Sequence, residues 1–287
     1  MAFVYLNGRI VREEDASLSI WDRGFLYGDG LFETLRACGT TICFLSRHLR
    51  RLKSSCQSLD LRFPDTLEYE KIILSLLEIN NIQGKAAIRM TLTRGEHTGS
   101  LTLSSPNDPT MLITVRPYEG TSDEAWEKGL ALGIEGDLRQ NPSGLLCQHK
   151  SLNYLPYLLA RDRASGKGFD DAILANPSDE VCECTSANIF FFRKGRLETP
   201  ALSCGLLPGV IREALMECAH LNGTGIEEVR IQPFDLYESE EVFVTNSLLE
   251  IMPVGRIEDR IFVQRKKTRA LQQQFFAYRD SISKGTI

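Results

Sequence analysis

Long apolar runs and an excess of basic residues are both missing from this sequence. No hydrophobic stretch approaches the roughly 20 residues that a membrane-spanning helix needs, and the start, MAFVYLNGRIVREED, becomes charged too early for a signal peptide. Lysine and arginine number 33 against 38 aspartates and glutamates, so the formal net charge is −5. Nucleic acids and membrane surfaces both select a basic face. We therefore expect a cytoplasmic protein that binds neither.

Metal-ligating residues are also sparse. The chain has only four histidines, and Cys182 and Cys184 stand two positions apart with no second ligand pair at the spacing of a zinc site. The eight cysteines are an even number, but a chain of this size can build a core without disulfides. We expect no metal site and reduced thiols.

The composition that remains is that of a globular protein, with 43% hydrophobic and 25% charged residues. A length of 287 residues favours two domains over one. The polar segment 119–125 is the predicted linker between a small N-terminal domain, 1–118, and a larger C-terminal domain, 126–287. Strands and helices are mixed without strict alternation, which predicts the α+β class.

Local patterns predict the individual elements. Asn7-Gly8 is a strong hairpin signal and predicts two short strands across 3–11. Ser46 is the predicted N-cap of a helix, because Leu49, Leu52 and Cys56 follow at helical spacing. Further helices are predicted at about 67–80, 151–165, 210–222 and 264–282, and further strands at 86–93, 111–117, 129–134, 171–175, 188–193, 196–199 and 242–246.

Four motifs place a polar residue or a glycine at the edge of an apolar element. They are RHLRRL (47–52) with Arg51, HKSLNYL (149–155) with Lys150, EVCECTSANIF (180–190) with Glu183 and Asn188, and LPGVIR (207–212) with Gly209. Each has an ordinary interpretation. A lysine at a helix start is usually solvated, and helix N-termini begin helices far more often than they bind anions. Taken singly, no motif predicts a function.

In this order, the four motifs resemble the fold-type IV pyridoxal phosphate enzymes, the class IV aminotransferases. That family includes branched-chain aminotransferases, D-amino acid aminotransferases and 4-amino-4-deoxychorismate lyase. RGFLYGDGLFETLR (23–36) and VFVTNSLLEIMPV (242–254) extend the resemblance over nearly the whole chain. It implies a two-domain α+β fold like that of D-amino acid aminotransferase, with the active site between the domains and the cofactor lysine in the C-terminal one. It also implies pyridoxal 5'-phosphate, a small-molecule substrate and a homodimer.

The resemblance implies a role for each matched residue. Lys150 bonds the cofactor aldehyde and then moves protons, and Glu183 stabilises the proton on the ring nitrogen. Arg51 and the backbone N–H groups of Val210 and Ile211, at a helix start, bind the phosphate. The remaining implied cofactor contacts are Tyr154, Leu207 and Ser247, and the implied substrate contacts are Tyr27, Arg89, Arg94 and His97.

Within the family, the sequence leaves two activities open. Thr34 matches a threonine that the lyase uses near its proton-transfer site. The D-amino acid enzymes have an Arg-x-His pair that is absent from TRGEHTGSL (93–101), and Ala87 stands where branched-chain enzymes have tyrosine. The first expectation is therefore a lyase of the folate pathway that releases pyruvate from 4-amino-4-deoxychorismate to give 4-aminobenzoate, with Lys150 and Thr34 as its catalytic residues. The alternative is an aminotransferase that acts on branched-chain or other amino acids with a 2-oxo acid acceptor.

Overall fold

The computed structural model describes residues 2–96, 99, 101–103 and 108–283. The chain divides into two compact units. The first comprises Met1–Gly120 and His149–Asn153, and the second comprises Thr121–Gln148 and Tyr154–Ile287. Within the described residues, no helix combines the length and the apolar character that crossing a membrane requires.

The first unit contains a six-stranded sheet in which every strand pairing is antiparallel. The strand order is β2-β1-β6-β5-β3-β4. The elements are β1 (Phe3–Leu6), β2 (Arg9–Arg12), a 3-10 helix (Glu13–Asp15), α1 (Arg23–Tyr27), β3 (Gly30–Cys38), β4 (Thr41–Ile42), α2 (Leu45–Ser58), α3 (Tyr69–Ile79), β5 (Lys85–Thr93) and β6 (Thr110–Pro117).

The core of the first unit lies between this sheet and helices α2 and α3. Leu52 and Cys56 of α2 belong to the same buried cluster as Ile73 and Leu76 of α3, together with Ile88 of the sheet. In each helix the spacing of three or four residues places the apolar side chains on one face. The polar face of α2 is then left for other contacts.

The second unit contains a nine-stranded mixed sheet, ordered β12-β11-β10-β13-β14-β7-β8-β9, with β15 paired to β14. The pairs β11–β12, β14–β7 and β7–β8 are parallel. The elements are α4 (Asp123–Lys128), β7 (Leu130–Arg139), a 3-10 helix (Leu145–Gln148), α5 (Leu155–Gly166), β8 (Asp171–Ala175), β9 (Val181–Cys184), β10 (Asn188–Arg193), β11 (Arg196–Pro200), a 3-10 helix (Leu202–Cys204), α6 (Val210–Leu221), β12 (Ile226–Val229), a 3-10 helix (Pro233–Glu238), β13 (Glu241–Asn246), β14 (Glu250–Ile257), β15 (Arg260–Ile261) and α7 (Lys266–Ser283).

Strand β10 is buried on both of its faces, which explains why its sequence is almost continuously apolar. Ile189 and Phe191 belong to a buried cluster on one face. On the other face, the rings of Phe190 and Phe243 stack with centres 5.2 Å apart. Asn188, the first residue of β10, lies on the same face as Phe190 because side chains alternate along a strand. It is a buried polar side chain at the edge of this core.

The α+β class predicted from the sequence is confirmed, but three local predictions are wrong. Helix α5 begins at Leu155, with a proline in its first turn, so Lys150 is not at a helix start. Helix α2 begins at Leu45, after Phe44 in a left-handed conformation (φ 55°), so Ser46 is not its N-cap. The segment 119–125 is not all linker, because α4 begins at Asp123, within it.

The lysine segment groups with the first unit, whereas the sequence placed it in the C-terminal domain. The backbone N–H of Phe32 donates to the carbonyl of Lys150 at 2.8 Å, and the N–H of Leu152 donates to the carbonyl of Gly30 at 2.9 Å. These backbone hydrogen bonds join the segment to strand β3. The boundary between Gly120 and Thr121 falls inside the predicted linker.

Candidate active site

Lys150 and Arg89 both lie against the aromatic ring of Phe32. The Nζ atom of Lys150 is 4.5 Å from the ring centre, and the guanidinium carbon of Arg89 is 4.0 Å from it. A cation is attracted to the electron-rich face of an aromatic ring. Phe32 is buried in β3, so it offers a rigid platform for both cations. The sequence interpretation did not identify Phe32.

Thr34 belongs to the same face of the sheet. It pairs directly with Arg89 in the antiparallel β3–β5 ladder, and it stands two residues beyond Phe32. Side chains two positions apart on a strand point to the same side, as do directly opposite residues on neighbouring strands. The first unit therefore brings Lys150, Thr34 and Arg89, three of the predicted site residues, onto one face of its sheet around Phe32.

Arg51 is held by Glu33, the residue between Phe32 and Thr34 on β3. Its Nε donates to Oε1 of Glu33 at 2.8 Å, and its Nη2 donates to Oε2 at 2.6 Å. Nδ1 of His48 lies 2.7 Å from the same Oε2. His48 and Arg51 are three residues apart and so share one face of α2. Glu33 was missed from the sequence, although it stands inside GDGLFETLR as a carboxylate within an apolar strand.

The pKa values fix the charges in this group. Burial by itself would raise the pKa of Glu33, but the charge of Arg51 and the hydrogen bonds from both partners outweigh burial and lower the pKa to about 2. Burial lowers the pKa of His48 despite the opposing effect of the Glu33 carboxylate, so the imidazole is neutral near pH 7. An ionised carboxylate can only accept hydrogen bonds. The Nδ1 atom of His48 therefore carries the hydrogen and donates a hydrogen bond to Oε2 of Glu33.

Arg94 is used in a different network of the first unit. Its Nε donates to Oδ2 of Asp29 at 2.8 Å, and its Nη2 donates to the carbonyl of Leu59 at 2.9 Å. Arg23 also donates to Oδ2 of Asp29, at 2.7 Å. The buried guanidinium of Arg94 thus ties together distant parts of the chain, and this arrangement favours a structural role over the predicted contact with substrate.

The other two predicted substrate contacts are less constrained. The ring of Tyr27 is partly exposed at the end of α1, and the guanidinium carbon of Arg23 lies 5.2 Å from its centre. His97 lies outside the described residues.

In the second unit, Glu183 is a buried carboxylate next to the loop that precedes α6. It belongs to β9 and is 5% exposed. The side-chain amide of Asn188 donates to Oε2 of Glu183 at 3.2 Å and to the carbonyl of Leu207 at 3.0 Å. Asn188 thereby links the carboxylate to the loop. These contacts bring Glu183 and Leu207, two predicted cofactor residues, close together.

Tyr154 lies near the same carboxylate. Burial raises the pKa of its hydroxyl, and the negative charge of Glu183 raises it further. The hydroxyl donates to the carbonyl of Thr185 at 2.6 Å, and the ring stacks on that of Tyr157 with centres 4.9 Å apart. The hydroxyl is therefore neutral and its proton is engaged, so only its oxygen lone pairs can serve a cofactor.

Helix α6 begins directly after Gly209, and Val210 and Ile211 are its first two residues. The first N–H groups of a helix have no partner within it and attract anions. A Cβ atom at position 209 would collide with Oδ1 of Asn188. The backbone φ of Gly209 is −67°, which any residue can adopt, so glycine is required here for close packing and not for conformation.

A buried hydroxyl lies on the strand next to Asn188. Thr245 pairs with Asn188 across strands β10 and β13, and its Oγ1 has no hydrogen-bond partner among the described residues. Unpaired buried polar atoms cost free energy and are uncommon in native proteins. Ser247, a predicted phosphate contact, follows two residues later, just beyond the end of β13.

These residues fit the requirements of pyridoxal 5'-phosphate. The cofactor has an aldehyde, a ring nitrogen, a phenolic oxygen and a dianionic phosphate. The chain supplies an amine (Lys150), a buried carboxylate (Glu183), a tyrosine hydroxyl, an arginine and a helix start. The orphaned hydroxyl of Thr245 is a further polar atom in need of a partner.

Comparison with known proteins points to the same cofactor. Residues 30–257 match a model of the family described as amino-transferase class IV. A Methanocaldococcus jannaschii protein, provisionally named a branched-chain-amino-acid aminotransferase, is 33% identical over 277 residues, covering 95% of this chain and 94% of its own. The aminodeoxychorismate lyase of Bacillus subtilis is 32% identical, with 89% and 87% covered. Among solved structures, the branched-chain aminotransferase of Thermoproteus uzoniensis with norvaline has a TM-score of 0.88 and 28% identity, covering 99% of this chain and 95% of that one.

Proposed function

Because the chain belongs to the class IV aminotransferase family, whose members use pyridoxal 5'-phosphate, we propose that it is an aminodeoxychorismate lyase. It would convert 4-amino-4-deoxychorismate to 4-aminobenzoate and pyruvate. The observation that carries the proposal is the position of Thr34, a match to the lyase, on the sheet face that holds Lys150 and Arg89 around Phe32. A hydroxyl on that face is well placed to assist proton transfer.

The proposed roles follow from the chemistry of the products. The 4-aminobenzoate product keeps the amino group, so the proton to be removed is on the ring carbon that bears it. When bound, the cofactor supplies an electron sink for that carbon. Nζ of Lys150 accepts the proton, and the hydroxyl of Thr34 assists this proton transfer. The C–O bond between the ring and the enolpyruvyl group then breaks, and the departing enolpyruvate takes up a proton to become pyruvate. The ring becomes aromatic, and this supplies the driving force.

Two more residues have proposed roles toward the cofactor. Glu183, held by Asn188, stabilises the proton on the ring nitrogen, because a buried carboxylate interacts strongly with a nearby cation. Arg51 binds the phosphate, for which charge-assisted hydrogen bonds are the stronger kind.

An aminotransferase is the second candidate. The observation that favours it is the similarity to the Methanocaldococcus jannaschii protein, which covers 95% of this chain. An aminotransferase must pass the amino group that it removes to a second substrate, a 2-oxo acid. The lyase reaction needs only one substrate. The need for a 2-oxo acid therefore separates the two activities.

A paired assay tests the proposal. The purified holoenzyme is given 4-amino-4-deoxychorismate without any 2-oxo acid, and pyruvate is followed by coupling to lactate dehydrogenase. In parallel it is given leucine, valine, glutamate or D-alanine with 2-oxoglutarate or pyruvate. Pyruvate release in the first assay, absent from Lys150→Ala, supports the lyase. Amino transfer without that release would establish the alternative.

We also propose that the protein is a homodimer, as the family resemblance implies. Several large apolar side chains around α1 are exposed in the single chain, and they include Ile20, Trp21 and Phe25. Exposed apolar clusters commonly mark interaction surfaces. Light scattering coupled to size exclusion would give the mass in solution, and the mass of one chain would refute the proposal.

A further inference from the structure

We infer that Glu33 is the positioning residue that fixes the guanidinium of Arg51 in the orientation needed for phosphate binding. The inference rests on the proposed phosphate role of Arg51. It adds a carboxylate in an apolar strand to the residues on which cofactor affinity depends. Glu33 would act only through Arg51 and would not touch the cofactor.

The geometry of the pair supports this role. Glu33 engages one edge of the guanidinium, through Nε at 2.8 Å and Nη2 at 2.6 Å. A guanidinium is planar and rigid, so fixing one edge fixes the direction of the others. One N–H of Nη1 and the second N–H of Nη2 point the same way from the edge opposite Nε. That edge has the fork geometry that matches a phosphate.

Glu33 is itself held firmly. Its side chain is 1% exposed, and its backbone is paired on both sides of residue 33 in the β3–β5 ladder. His48 donates a third hydrogen bond to its carboxylate, from the same face of α2 that carries Arg51. The carboxylate cannot turn without breaking contacts to two residues of that helix.

The alternative is that Glu33 only neutralises the positive charge of a buried arginine. The two interpretations predict opposite changes in cofactor affinity when Glu33 is removed. If Glu33 only balances charge, its removal leaves Arg51 with a less compensated positive charge, and the affinity for a dianionic phosphate should rise. If Glu33 positions the guanidinium, its removal lets the guanidinium turn, and the affinity should fall.

The test is the dissociation constant of pyridoxal 5'-phosphate, measured by absorbance titration of apoprotein. Glu33→Gln keeps the size of the side chain but removes the second acceptor oxygen. We expect affinity to fall about tenfold or more, the scale known for the loss of an outer partner of a metal ligand. The matched control is Glu68→Gln in the exposed pair with Lys71, which should leave affinity unchanged. Unchanged or tighter binding in Glu33→Gln would overturn the inference.

A double-mutant cycle separates this inference from the role of Arg51. Affinity should be the same in Arg51→Ala and in Glu33→Gln/Arg51→Ala, because Glu33 acts only through Arg51. A further loss in the double variant overturns the inference. If Arg51→Ala alone keeps the parent affinity, the phosphate role of Arg51 is wrong, whatever Glu33 does.

Glu33→Asp guards against a folding defect in Glu33→Gln. It keeps the negative charge but is too short to reach both nitrogens of Arg51. Positioning predicts weaker cofactor binding with near-parental circular dichroism, and charge balance predicts parental affinity. The phosphorus resonance of the bound cofactor should also shift in this variant if the phosphate contact changes, and an unshifted resonance with parental affinity would count against positioning.

Discussion

The amide oxygen of Asn188 occupies the space in which a side chain at Gly209 would begin. Asn188 also donates hydrogen bonds to Glu183 and to the carbonyl of Leu207. A substitution at position 209 therefore acts on the proposed ring-nitrogen carboxylate through Asn188. The helix start and the carboxylate are coupled by one amide group.

Gly209→Ala should accordingly lower both thermal stability and cofactor affinity. Overpacking of a closed site typically costs about 1–3 kcal/mol, and displaced Asn188 would leave Glu183 without this hydrogen bond. Gly166→Ala is the matched control, because nothing lies near a Cβ atom at that helical position. Melting temperature and cofactor titration measure both effects. Parental values in Gly209→Ala would show that the loop moves away freely.

Glu183→Gln should retain the cofactor but lose about a hundredfold in turnover, the scale of one preorganised electrostatic group. A neutral amide stabilises the ring-nitrogen proton poorly. Glu227→Gln, which alters an exposed pair with Arg196, serves as control and should keep its turnover. Turnover at saturating cofactor is the measurement, and full activity in Glu183→Gln would reduce Glu183 to a buried structural charge.

Lys150 should be the single point of covalent attachment. Parent protein should be yellow, and borohydride reduction should fix the cofactor to the peptide that contains HKSLNYL. Lys150→Ala should be colourless, whereas Lys167→Ala at the exposed end of α5 should remain yellow. Peptide mass spectrometry identifies the labelled residue, and a label on another lysine would disprove the assignment.

Thr34 should distinguish a chemical role from a packing role. If its hydroxyl assists proton transfer, Thr34→Val and Thr34→Ala should each reduce pyruvate formation by about tenfold or more, the low end of acid–base contributions. Cofactor occupancy should not change. If threonine is present only as a β-branched strand residue, Thr34→Val should be as active as the parent and Thr34→Ala should lose only stability. Kinetics recorded with occupancy and melting temperature decide between them.

The Glu33 carboxylate also predicts a pH dependence of stability. Its pKa is about 2 in the folded protein against an ordinary 4.5. A lowered folded-state pKa contributes stability that is complete above pH 4.5 and is lost as the pH falls from 4.5 towards 2. The difference in unfolding free energy between the parent and Glu33→Gln should therefore be constant near neutrality and shrink below pH 4.5. Urea titrations across this range measure it, and a difference independent of pH would refute the charge assignment.

Local periodicity was enough to predict most elements. Helix α6 was expected at 210–222 and spans Val210–Leu221, and strand β8 was expected at 171–175 and spans Asp171–Ala175. In both elements the sequence signals are local, because the apolar spacing and the flanking glycine or proline lie within a few residues of the element. The predicted start of α2 is wrong because the backbone of Phe44, and not a side chain, forms its N-cap.

The site was predicted less completely, because its contacts join distant parts of the sequence. Arg94 looked like a substrate residue, but its partners are Asp29 and the carbonyl of Leu59, which only the folded chain brings near. Glu33 is recognisable locally only as a carboxylate in an apolar strand, and its partners lie 15 and 18 residues further on. The residues that the family resemblance singles out, such as Lys150 and Glu183, are predicted from motifs and need no such contacts.

The way in which the lysine segment joins strand β3 also has a consequence for biosynthesis. All six strands of the first sheet leave the ribosome before Thr121 does. The hydrogen bonds that link Phe32 to Lys150 and Leu152 to Gly30 can form only after residues 150–152 have been synthesised. A nascent chain can therefore assemble most of its first unit while still lacking the proposed attachment lysine. Covalent attachment of a cofactor to Lys150 is impossible until synthesis has passed the midpoint of the polypeptide.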